Sequence, residues 1–347
     1  MIAHNFQFEK NNSFNEVRIV LALIVFFSHL SALTNDSRFW MFELYANASF
    51  AVKGFFAISG YLVTKSYLNS HGVVDFFEKR IRRIYPAYIG ALVLCLVIGL
   101  SMSTLNSLEF IESTQTLKYV LANLFFLNFL QPTLPGVFER NHIQAMDGSL
   151  WTIKVEVMLY LCLPLIAFLF HKFSRWLAFA AIFSFSLLWV YYFNHISDLI
   201  IREEIARQFP GQLSYFICGA LIAFEPKLQH KLKFVALISG AAFLFTDHEV
   251  FRMIVEPIFY SAIVLYIGQM VVLNWNFSKY GDISYGVYLY HFPIIQGLIQ
   301  IQLFEFNLLL GAFVSLLLTI SLSLFSWHFL EKPFLKRSSH YVAVSKF

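Results

Sequence analysis

Ten apolar stretches follow one another along this chain of 347 residues, most of them long enough to cross a bilayer. They lie at 17–34, 48–68, 84–103, 150–170, 176–194, 209–224, 234–247, 254–273, 283–303 and 308–330. About 20 apolar residues in a helix span the ~30 Å hydrocarbon core, and the helix satisfies its own backbone polar groups where water is absent. Hydrophobic residues make up 58% of the chain and charged residues only 13%, with mean hydropathy +0.64. Soluble domains carry about a quarter charged residues, so that class is excluded. The expected fold is an all-α integral membrane protein, a bundle of about ten transmembrane helices in a single domain 1–347. A polar segment 1–16 precedes it and a polar tail 335–347 closes it. A further apolar run, YVLANLFFLNFLQ at 119–131, is short for a span and predicts a re-entrant or buried helix.

The basic residues test this count. With the N-terminus in the cytoplasm, 16 of the 25 lysines and arginines fall in cytoplasmic segments, 6 in outer loops and 3 within spans. That asymmetry is what the positive-inside rule demands. Counting 119–131 as a full span would invert everything after it and place KLQHKLK outside. The expectation is a multi-pass protein with both termini cytoplasmic. The polar N-terminus has no small-residue cleavage site, so the first apolar run reads as a retained span. The net charge of +4 calls for no nucleic-acid partner, because the basic residues stand where topology needs them.

Ionisable residues inside apolar runs are expensive and mark pathways or reaction sites. The first span, FNEVRIVLALIVFFSHL, holds Arg18 and, eleven residues later, His29. At ~1.5 Å per residue the two are roughly 16 Å apart along the axis, which puts His29 near mid-bilayer. A histidine there exchanges protons near neutral pH. The run MDGSLWTIKVEVMLYLCLPL places Asp147, Gly148 and Ser149 at a helix start, with Lys154 and Glu156 just inside. Glu156 reads either as a carboxylate that orients a histidine or as half of an ion pair with Lys53 or an arginine. Lys53, Ser59 and Gly60 lie in FAVKGFFAISGYLVTKSY, where Gly54 and Gly60 permit close helix approach. His291, two residues before Pro293, reads equally as a functional residue or as a partner of a neighbouring helix. Arg80, Arg82 and Arg83 cluster in DFFEKRIRRIYPAY at a cytoplasmic mouth. Guanidinium groups bind phosphates, so a phosphate-bearing ligand such as coenzyme A suits the cluster, as do anionic lipid headgroups. Loop 131–148 reads as a substrate cleft, a lid or a connector. Cys95, Cys162 and Cys218 sit in apolar runs, and their spacing suggests neither a disulfide nor a metal site.

Together these segments resemble the acyltransferase 3 family of integral membrane acyltransferases, closest to the branch that O-acetylates bacterial surface polysaccharides such as lipopolysaccharide. The resemblance runs in order along nearly the whole chain. It takes in the Arg18–His29 span, FFAISGYLVTKSY, the R-x-R-R cluster at 80–83 with IYPAY, LPGVF at 134–138, GSLWT with Glu156, DISYGVYLYHFP and FLEKPF. It departs at Asn15, where the family commonly has an aspartate; Glu16 stands next to it.

The resemblance implies an O-acetyltransferase of the bacterial inner membrane. The donor would be acetyl-coenzyme A in the cytoplasm, with no metal. The acceptor would be a hydroxyl of a surface glycan or its lipid-linked precursor. On the resemblance, His29 and its partner Arg18 would be catalytic and Arg80, Arg82 and Arg83 would hold the donor. From their own places in the chain, Glu156 is expected to join the catalytic pair and Lys53, Ser149, Trp151 and His291 to line the acceptor site. The rival from another class is a transporter or flippase for a lipid-linked sugar or anionic solute, with the same buried charges as its path.

Overall fold

A computed structural model describes residues 12–271 and 281–335. Most of the polar N-terminal segment, the C-terminal tail from residue 336 and Lys279 lie outside the described residues. In chain order the helices are α1 (Phe14–Thr34), α2 (Trp40–Tyr45), α3 (Ala48–Leu68), α4 (Val73–Met102), α5 (Ser107–Glu112), α6 (Thr114–Leu124), α7 (Trp151–Lys172), α8 (Arg175–Tyr191), α9 (Arg202–Ala206), α10 (Phe209–Phe224), α11 (Leu232–Leu244), α12 (Glu249–Met270), α13 (Ser284–Gln300), α14 (Leu303–Phe306) and α15 (Leu308–Phe325). The described residues contain no strand.

Among the described residues, six helical segments are long and apolar enough to cross a membrane: Phe14–Thr34, Val73–Met102, Trp151–Lys172, Arg175–Ile196, Glu249–Met270 and Leu308–Phe334. The other four expected spans are helical too, but α10, α11 and α13 have only 16, 13 and 17 residues. At ~1.5 Å per residue these fall short of a ~30 Å hydrocarbon core. The fourth, α3, has 21 residues but carries Lys53 and Lys65. The apolar run at 119–131 does not form one helix. α6 ends at Leu124, Phe126 takes a positive φ of 60°, and a short 3-10 turn follows. Thr116, Tyr119 and Asn123 form its buried face.

The chain divides into two compact units. The first comprises Met1–Val17, Ser49–Glu78 and Val155–Trp275. Its centre is α10, buried from Pro210 to Phe224. A helix apolar on every side belongs inside a bundle, and α8 and α12 pack on it. At the crossing of α3 with α10, Gly60 lies against the Phe216 backbone and Gly219 against that of Ala57; a Cβ at either would collide with a carbonyl oxygen. The start of α1 closes the end of α12. Ser13 donates its N–H to the Gly268 carbonyl (2.8 Å) and its hydroxyl to that of Val271 (2.7 Å). Terminal carbonyls of a helix need such external donors.

The second unit comprises Arg18–Ala48, Lys79–Lys154 and Asn276–Phe347. Here the central helix is α13, buried from Ser284 to Leu298. Two glutamines on it anchor the segment before α7. Gln296 donates to the carbonyls of Ile143 (2.6 Å) and Ala145 (2.9 Å) and accepts from Asn141 (2.8 Å). Gln300 accepts from the Phe138 N–H (2.9 Å) and donates to the Met102 carbonyl (2.8 Å). Leu134, Val137, Phe138 and Met146 of this segment are buried with Leu92, Cys95, Phe110 and Tyr119. Loop 131–148 is therefore a packed connector, and α13 takes up several of its backbone hydrogen bonds.

Candidate active site

In the second unit α1 and α13 lie side by side and run in the same direction. Arg18 pairs with Asp282 just before α13, and His29 pairs with His291 further along. Eleven residues are close to three full turns, so Arg18 and His29 share one face of α1. This face meets α13 at both levels.

At the first level the chain builds a buried four-charge cluster. Asp282 Oδ2 accepts from Arg18 and from Arg83 Nη2 (2.6 Å). Arg83 Nη1 donates to Glu331 Oε2 (2.7 Å). Ser284 donates to Asp282 Oδ1 (2.6 Å) and Ser326 to Glu331 Oε1 (3.1 Å). Asp282 and Glu331 are each 1% exposed, so their charges require these partners. Burial alone would push the Asp282 carboxyl up; the guanidinium groups of Arg18 and Arg83 outweigh that and hold it down at about 2. Gly281, with φ +93°, turns the chain into this site, and the Trp327 indole occupies the space where a side chain would stand.

At the second level His29 Nδ1 lies 2.7 Å from His291 Nε2. His291 Nδ1 lies 3.0 Å from the Val287 carbonyl oxygen. The Phe292 ring meets His29 edge-on, with centroids 5.4 Å apart, and Gly148 packs against Phe292. His291 has no exposed surface, whereas His29 is partly exposed. The start of α7, the turn before it and Tyr288 of α13 add hydroxyls beside this pair. Thr152 and Tyr288 share a 2.7 Å hydrogen bond, and Ser149 lies 3.4 Å from the Tyr288 carbonyl. Asp147 Oδ1 accepts from the Ser149 N–H (2.9 Å) and hydroxyl (2.7 Å), while its Oδ2 has no hydrogen-bond partner. Burial pushes this carboxyl up to about 7, against the lowering by the Ser149 bonds.

The sequence-derived site residues divide between the units. His29, Arg18, Arg80, Arg82, Arg83, Ser149, Trp151 and His291 belong to the second. Arg83 faces inward to two carboxylates, and Arg82 reaches the Phe334 carbonyl (3.3 Å). Lys53 and Glu156 belong to the first unit, and the ion pair considered between them is not formed. Lys53 pairs with Glu256 at 2.5 Å, beside Tyr215, whose hydroxyl also donates to Glu256. Glu156 accepts from Ser59 (2.9 Å) and Tyr160. Lys53 and Glu256 are 203 residues apart, and no local pattern announces such a pairing. Asp282 was missed as a site residue for the same reason, although its place as the first residue of DISYGVYLYHFP, two residues before α13 begins, was a usable signal. Among the described residues no group of three or more His, Cys, Asp or Glu side chains could hold a metal.

Residues 11–328 match the acyltransferase domain family known as acyltransferase 3. The chain is 28% identical to an O-acetyl transferase of Shigella phage Sf6 over 95% of its own length and 98% of that protein. It is 25% identical to nodulation protein 10 of Rhizobium leguminosarum bv. viciae over 96% of its length and 95% of the relative. It is also 26% identical to the O-acetyltransferase OatA of Staphylococcus aureus, over 82% of this chain and 52% of OatA. No solved structure gives a significant match.

Proposed function

The chain belongs to the acyltransferase 3 family, and from that premise we propose that it moves an acetyl group from cytoplasmic acetyl-coenzyme A to a sugar hydroxyl of a surface polysaccharide or its lipid-linked precursor. It is an acyltransferase and a multi-pass membrane protein. The inner membrane of a bacterium, about ten crossings and cytoplasmic termini complete the reading, supported by the asymmetry of the basic loops.

The observation that carries it is the setting of His29. Its ring is held edge-on by Phe292 and hydrogen-bonded through one nitrogen, and the residue is only partly buried. As general base it takes the proton of the acceptor hydroxyl while that oxygen attacks the thioester carbonyl. The tetrahedral intermediate collapses, the carbon–sulfur bond breaks, and the thiolate of coenzyme A takes the proton back from His29. The products are the acetyl ester and free coenzyme A. Arg80 and Arg82 bind the donor's phosphates. Arg83 and Arg18, clamped by Asp282, hold the two helices that present the site. These steps use the second unit alone.

The test is turnover of radiolabelled acetyl-coenzyme A with surface glycan by the purified protein, wild type beside His29→Ala. The variant should keep its fold and lose about 100-fold or more of its activity, the usual worth of a positioned base. Full activity in the variant would remove His29 from the chemistry. No turnover by folded wild-type protein would favour the transporter.

A further inference from the structure

Both ring nitrogens of His291 are engaged, and their partners define where the protons sit. Nδ1 faces the Val287 carbonyl oxygen at 3.0 Å. A carbonyl has no proton to give, so Nδ1 of His291 carries the hydrogen. A neutral imidazole protonated at Nδ1 has its lone pair on Nε2. The 2.7 Å contact at Nε2 must then be filled by a proton on His29 Nδ1. His29 in turn has its lone pair on Nε2. One hydrogen-bond direction runs through the whole chain, from His29 through His291 to the backbone of α13.

The reverse order requires an imidazolium at His291, which would donate to His29 and leave His29 protonated on Nε2. Neither ring has a carboxylate among its described hydrogen-bond partners, and His291 has no exposed surface. An uncompensated charge there is costly. The exposures fit the same division of labour: the residue that must meet substrate is partly exposed and the one that only supports it is fully buried.

We propose that His291 is a positioning residue that fixes the tautomer and orientation of His29, making His29 Nε2 the basic nitrogen of the site. It acts through His29 and does not touch the acceptor, since both its nitrogens are already used. This rests on the acyl-transfer reading above. The role is the one a carboxylate takes behind a catalytic histidine elsewhere, filled here by a neutral ring anchored on a backbone carbonyl.

Kinetics of wild type, His291→Leu and His291→Gln test it, together with ¹⁵N NMR of histidine-labelled wild-type protein. Leucine removes the acceptor for the His29 Nδ1–H; glutamine returns a carbonyl oxygen at nearly the same reach. The expectation for His291→Leu is a kcat about 100-fold lower with KM changed by less than about 2-fold. His291→Gln should recover to within about 10-fold of wild type, because the wrong tautomer rather than lost packing is the main penalty. The NMR signal lost in His29→Asn should report a proton on Nδ1 and none on Nε2. The proposal falls if folded His291→Leu keeps wild-type kcat, if glutamine rescues no better than leucine, or if wild-type His29 carries its proton on Nε2. Should His291→Leu not fold, the glutamine variant and the wild-type spectrum decide. An active His29→Ala would bring down the acyl-transfer reading itself; an inactive His29→Ala with a fully active His291→Leu would bring down only the positioning role.

Discussion

At the scale of single residues, two buried aspartates of the second unit respond to pH in opposite directions. Asp147 has its carboxyl raised from 3.8 to about 7, first by burial. The folded state therefore binds its proton more tightly than the unfolded state does. Its contribution to stability is complete below 3.8 and is lost as pH rises through about 7. Asp282 is lowered from 3.8 to about 2, so its contribution is present above 3.8 and is lost as pH falls through about 2. Thermal unfolding of wild type and Asp147→Asn in detergent, across pH 4 to 8, checks the first. Wild type should lose ground to the variant as pH rises to about 7 and then hold a constant gap. A gap that is the same at every pH would show that the carboxyl titrates normally. The same scale shows why the site residues were only partly legible. His29, Arg18, Glu156 and the arginine run announce themselves as ionisable groups at apolar positions. Asp282, His291 and Glu256, the partners of Arg18, His29 and Lys53, lie more than 200 residues away in sequence, and only folding pairs them.

At the scale of elements, each unit is organised round one helix buried along nearly its whole length, α10 in the first and α13 in the second. Such helices lack the polar face that marks a surface helix. In sequence they are indistinguishable from lipid-facing spans. Small residues betray them, because only glycine admits the backbone contact between α3 and α10. Gly60→Ala should destabilise the protein by about 1–3 kcal/mol, the usual range for overpacking a tight crossing. Gly72→Ala, where the added Cβ meets nothing within 4 Å, is the control. Unfolding midpoints that shift equally in both variants would deny the crossing its importance. The loop at 131–148 makes the complementary point. Its irregular sequence left cleft, lid and connector open, and Gln296 and Gln300 decide for a packed connector by satisfying its backbone. Buried backbone polar groups need partners, and for Phe138, Ile143 and Ala145 those came from a helix more than 150 residues further along.

For the whole molecule, the expected topology has both termini in the cytoplasm. Reporter fusions after the C-terminus and in the loop around residue 200 test it. A reporter active only outside the cytoplasm should be silent at the first site and active at the second; the opposite pattern would reverse the orientation. Membrane residence, helical architecture and family were legible from the chain alone, because hydropathy, charge asymmetry and ordered motifs are properties of consecutive residues. The tertiary structure decided how buried charges are matched. It clamped Arg18 and Arg83 on Asp282, gave Lys53 to Glu256, and set His29 against a second histidine. The physical reason is that a desolvated charge or ring nitrogen must find a partner wherever the fold brings one, and sequence distance places no limit on that choice.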